Sequence, residues 1–106
     1  MTYYEFKSSI LRGGSIITPD IITIDDDVVT WRRNRGASRL FLASSFKTIP
    51  RNKISSVEIY EDIIGCNVVI TTYSGTHIEA LHFSKSDAQE IRRILLYQKN
   101  SFFSLN

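Results

Sequence analysis

The residues best suited to chemistry crowd into one part of this chain. The stretch WRRNRGASRLFLASSFKTIPRNKISSV, residues 31–57, holds seven basic residues and no acidic one, although the whole chain has a formal net charge of only +2. A planar guanidinium donates two parallel hydrogen bonds to phosphate or carboxylate. Arg32, Arg33, Arg35, Arg39, Arg51 and Lys53 therefore form the candidate anion-binding set. Strand geometry divides them. Alternate side chains point to opposite faces, so Trp31, Arg33 and Arg35 share one face and Arg32 and Asn34 the other. A bulge or an early strand end would be needed to regather them. The competing reading is solvated charge, paired with the acidic turns at 25–27 and 58–62. Either way, replacing Arg32, Arg33 and Arg35 is expected to change stability little.

The other reactive side chains are sparse. His77 and His82 fall on opposite faces of one strand and do not chelate jointly. His77 shares a face with Glu79, but two ligands fall short of the three or four that zinc takes. Cys66 is the single cysteine, which excludes an internal disulfide and a thiolate zinc cluster, and a buried structural role is the default. Asp25, Asp26 and Asp27 are adjacent in a turn, where carboxylates point apart, so they read as a polar hairpin turn. No nucleophile elbow, phosphate loop or cysteine–histidine pairing is present. No enzyme, cofactor or metal is expected. Single-stranded nucleic acid would want aromatics interleaved with the charge. Trp31, Phe41 and Phe46 are nearby in sequence but read first as core, so nucleic acid is not an expected partner.

At 106 residues, 42% of them hydrophobic, the chain is long enough for one domain with a real core. The opening MTYYEFKSSI has neither a basic nor an apolar leader segment. No apolar run approaches the ~20 residues that span a bilayer. The expected location is the cytoplasm, with the inner face of the membrane as the alternative.

The elements that must position these residues are mostly strands. Runs at 3–10, 21–24, 28–35, 46–50, 53–60, 67–73 and 76–83 are rich in β-branched and aromatic residues and are bounded by turn signals. Pro19 interrupts the stretch SIITPDIITIDD, from which the second run resumes at Ile21, and implies an edge strand or a bulge. Residues 37–45 fit a loop, a short helix or an extra strand. Asp25-Asp26-Asp27 and Ser74-Gly75 mark hairpin turns, and Ile63-Ile64-Gly65 a turn with a hydrophobic tip. From Ser84 to Lys99 the period becomes helical, with Ala88, Ile91, Ile94, Leu95 and Gln98 near one face. Ser86 with Gln89 fits a capping box, and Ser84 with Asp87 is the alternative.

Residues 49–95, IPRNKISSVEIYEDIIGCNVVITTYSGTHIEALHFSKSDAQEIRRIL, resemble the second half of a bacterial pleckstrin-homology-like (PH-like) domain. The resemblance rests on Ile49-Pro50, Lys53-Ile54, Val57, Gly65, the Ser74-Gly75 hairpin and Asp87-Ala88 at the helix start. IITPDIITIDDDVVTWRRNRG fits the preceding strand pair, so the resemblance covers about residues 15–97. It implies an all-β fold, a seven-stranded sandwich or partly open barrel capped by a C-terminal helix, in a domain without catalytic activity. Eukaryotic relatives often bind phosphoinositides or proteins, and some bacterial ones self-associate. The lipid-binding motif of the first two strands is absent: that region offers only Lys7 and Arg12.

The expected role is a binding or assembly module that engages a protein partner or a second copy of itself as a homo-oligomer. Unpaired strand edges suit β-augmentation. The alternative is peripheral binding to anionic phospholipid through residues 32–53. Beyond the resemblance, SFFSLN at 101–106 places Phe102, Phe103 and Leu105 after a helix that is expected to be ending. They are the candidate interface residues, or they fold back on the domain.

Overall fold

The structure, a computed structural model, describes residues 3–8, 19–34 and 44–104. The strands are β1 (Tyr4–Lys7), β2 (Asp20–Ile24), β3 (Val28–Asn34), β4 (Ser44–Pro50), β5 (Ile54–Glu61), β6 (Cys66–Thr72) and β7 (His77–Phe83), followed by the helix α1 (Lys85–Ser104). They form two antiparallel sheets, β1-β2-β3-β4 and β5-β6-β7. The sheets do not close into a barrel. The arrangement is the seven-stranded sandwich capped by a C-terminal helix that the sequence predicts.

Alternation explains the core. In the first sheet Ile22, Ile24, Val29 and Ile49 point inward and are buried, as the period of two requires. In the second sheet Val57, Val68, Ile70 and Ile78 meet them in one cluster. The helix adds Ala88, Ile91, Ile94 and Leu95 to the same cluster, the face that the helical period predicts. Each fully buried Ile or Leu contributes ~1.5–3 kcal/mol.

Three details differ from expectation. Pro19 does not mark an edge, because β2 lies between β1 and β3. It stands immediately before the strand, where its missing N–H costs the ladder nothing. Pairing begins at Asp20, whose N–H donates to Ser8 Oγ at 3.0 Å while Ser8 N–H donates to the Asp20 carbonyl at 2.8 Å. The helix is capped by Ser84, not Ser86: the Asp87 amide donates to Ser84 Oγ at 3.1 Å, satisfying one of the free amides of the first turn. The helix also runs on to Ser104, so Phe102 and Phe103 belong to its last turns and not to a separate tail. Leu105 lies outside the described residues, as do 35–43.

A bulge in β7 sets the end of the second sheet. Cys66 pairs with Phe83 and Val68 with Ala80, so Leu81 and His82 together face Asn67. His82 takes a left-handed φ of 68°, and its amide donates to Asn67 Oδ1 at 3.1 Å. The extra residue shifts the parity, and Phe83 turns into the core, where it is fully buried. The same shift breaks the simple alternation that would place His77 and His82 on opposite faces.

Candidate functional site

The basic stretch does not gather into one patch among the described residues. Arg33 and Trp31 share the inner face of β3, as alternation predicts, and the Arg33 guanidinium lies 5.0 Å from the Trp31 ring centre, a cation–π distance. Arg33 is committed to Asp20 through a bidentate pair, Nε to Oδ1 at 2.6 Å and Nη2 to Oδ2 at 2.7 Å. The Asp20 hydrogen bond and charge raise the guanidinium above its ordinary pKa, so it stays fully charged. Arg51 donates from Nη1 to the Asp25 carbonyl at 2.7 Å and from Nη2 to the Ile94 carbonyl at 3.3 Å. It thereby straps the β2–β3 turn to α1. Arg32 and Lys53 are exposed. Arg32 sits on the outer face of β3, and Lys53 in the 3-10 turn Arg51–Lys53 between β4 and β5. Arg35 and Arg39 lie outside the described residues. The buried Asp20 partner of Arg33 argues against the expectation that replacing Arg32, Arg33 and Arg35 changes stability little.

Asp20 is the residue that the charge pattern overlooks. It is only 4% exposed, and it accepts from Trp31 Nε1 at 3.3 Å and from the Leu81 amide at 2.9 Å in addition to Arg33. Its carboxylate joins the first sheet to the open edge of β7. Lys47 does the same further along, donating from Nζ to the His77 carbonyl at 2.8 Å. Side chains thus occupy backbone groups of β7 that would otherwise offer a pairing edge. One signal for Asp20 was present in the sequence. In DIITI, residues 20, 22 and 24 share a face, so an acid at position 20 points into the core and needs donors.

The acidic turns have local roles. Asp25 Oδ1 accepts from the amides of Asp27 and Val28, both at 2.8 Å. These bonds hold its carboxyl below the usual range, Val28 first and Asp27 next, with the Arg51 charge a smaller cause. Asp62 Oδ1 accepts from Ile64 and Gly65, both at 2.9 Å, and its carboxyl is lowered chiefly by the Gly65 amide. This bonding is that of an Asx-type turn. It presents the next two side chains outward: Ile63 is fully exposed and Ile64 nearly half exposed. Tyr60 is exposed on the outer face of β5, with its hydroxyl on Glu58 Oε1 at 3.2 Å. Glu61, also exposed, lies 3.9 Å from Lys85.

Among the described residues no group of three or more His, Cys, Asp and Glu side chains converges as a metal site would. Cys66 lies buried in the core. No described helix is long and apolar enough to cross a membrane.

Fold and surface together define a helix-capped, two-sheet β-sandwich in which Arg33, Lys47 and Arg51 serve as internal ties. No protein-family model, curated protein or solved structure matches the chain.

Proposed function

We propose that this protein is a non-enzymatic binding and assembly module that engages a protein partner, a second copy of the chain included. The carrying observation is the end of the β5–β6 hairpin, where Tyr60, Ile63 and Ile64 expose apolar surface beside one another in sequence. Apolar side chains held outward by a well-bonded turn cost solubility, and a contiguous exposed group of them marks an interaction surface. The β5 edge runs into this turn and has no strand partner among the described residues, so strand addition and apolar contact are available together. Anionic lipid draws less support. Each basic residue near such a surface contributes ~1 kcal/mol, and Arg33 and Arg51 are already bonded within the fold.

Sedimentation of the purified chain across a concentration series tests this reading. Mass should rise with concentration in the wild type, and the Ile63→Ser/Ile64→Ser variant should lose that rise while keeping its melting temperature. A wild type that stays monomeric throughout removes self-association from the proposal. Association that is equal in the variant places the interface elsewhere.

A further inference from the structure

The outer face of the first sheet carries a row that matches the hairpin tip in chemistry. The strand registers align Lys7 with Ile21, Ile21 with Arg32, and Arg32 with Phe46. These four residues lie side by side across β1, β2, β3 and β4, ~4.8 Å apart from strand to strand. Lys7 and Arg32 are exposed, Ile21 between them is buried, and Phe46, read from the sequence as core, is 67% exposed; Glu5 adds one exposed carboxylate to the same face of β1. The row thus presents two cations and an aromatic ring. The tip presents the converse: Tyr60, Ile63 and Ile64 with the exposed carboxylates of Glu58, Glu61 and Asp62.

We infer that the tip of one copy docks on the outer face of the first sheet of the next, so that the chain assembles head to tail. This rests on the self-association reading above and assigns its two surfaces. Opposite charges flank apolar groups on both sides, an arrangement that favours correct register and rejects like pairing: tip against tip would oppose three carboxylates to three. The two patches cannot meet within one molecule. The outer face points away from the core that both sheets share, and the tip belongs to the other sheet. An interface between two different patches is heterologous and leaves a free patch at each end, so growth continues into a ring or a filament. The acidic surroundings of Ile63 and Ile64 argue against an anionic membrane as the occupant, since like charge is repelled there.

Two variants separate the surfaces. Arg32→Glu/Phe46→Ser disables the sheet face, and Glu61→Lys/Ile63→Ser disables the tip. All four side chains are exposed, so both variants should keep the wild-type far-ultraviolet spectrum and melting temperature. Each alone should associate at least about tenfold more weakly than the wild type, the effect of ~1.4 kcal/mol. Mixed in equal amounts, they should form a one-to-one dimer and nothing larger, because only one intact pair of surfaces remains. Raising the salt concentration should weaken the wild-type assembly. If the wild type forms a closed dimer that both variants retain, self-association stands and the head-to-tail assignment falls. If the mixture stays monomeric while the wild type assembles, the two patches are not partners. A wild type that is monomeric throughout overturns both readings. Sedimentation with phosphatidylserine vesicles that is lost on Ile63→Ser would assign the tip to a membrane and overturn the inference.

Discussion

Asp20 shows how much one side chain can decide. It is an acid on the core face of an interior strand, and it survives there because four donors meet its two oxygens. Replacing it with Ala leaves the Arg33 charge unpaired and the Leu81 amide without its acceptor. Removing one partner of a buried pair costs ~3–5 kcal/mol, and the partial exposure of Arg33 moves the expected loss to the lower end, about 3 kcal/mol. Urea melts of Asp20→Ala check this; a loss under ~0.5 kcal/mol, the size of a surface change, would mean that the seam does not depend on this contact. His82 is the second case. A left-handed φ costs a non-glycine residue ~1–2 kcal/mol, while glycine adds up to ~1 kcal/mol of unfolded-state entropy. His82→Gly should therefore be neutral or slightly stabilising. His82→Val should be clearly destabilising, because a β-branched residue disfavours that conformation most. Thermal melts of the pair give the comparison, and equal losses in both would sink the strain argument.

At the scale of elements, the helix is held by packing and by one strap. Ile91 and Leu95 sit in the shared cluster, so Leu95→Ala should cost ~2–5 kcal/mol, the range for core truncations. A denaturant midpoint close to that of the wild type would show that α1 does not dock this way. Arg51 reaches from the 3-10 turn to carbonyls on both the β2–β3 turn and α1. Its Nε is buried without a hydrogen-bond partner among the described contacts, so the strap is incompletely satisfied. The helix continues past Lys99 to Ser104, because nothing in KNSFFS breaks a helix: it holds no Pro or Gly. Residues 101–104 therefore continue the helix, and 105–106 lie outside the described residues.

Across the whole molecule, the pH response follows from the turns. The folded state holds the carboxyls of Asp25 and Asp62 below their ordinary value of 3.8. Their contribution is complete above the unfolded value and is lost as the pH falls through the lower folded one. Stability should be flat in this respect from neutral pH down to ~5 and fall below ~4. Asp25→Asn, which keeps an acceptor oxygen but cannot titrate, should flatten that fall. Urea midpoints at descending pH would show it, and an identical acid profile in the variant would remove Asp25 from the explanation.

Much of this architecture was legible in the residues themselves. Alternation in SSVEIY and CNVVITT, the turn signals along the chain, and the period change at Ser84 indicate the strands, the helix and most inward faces, but not the bulge in β7 that turns Phe83 into the core. These signals are local, since strand parity, turn conformation and helix phase depend on neighbours within a few positions. The fate of the basic stretch was not local. Arg33 meets Asp20 across thirteen residues, Lys47 meets His77 across thirty, and Arg51 meets Ile94 across forty-three. A guanidinium in a sequence looks the same whether it faces water or a buried carboxylate. Only the pairing of β2 with β3, the approach of β7 to the first sheet and the docking of α1 decided that these cations tie the sandwich together while Arg32 and Lys53 face solvent.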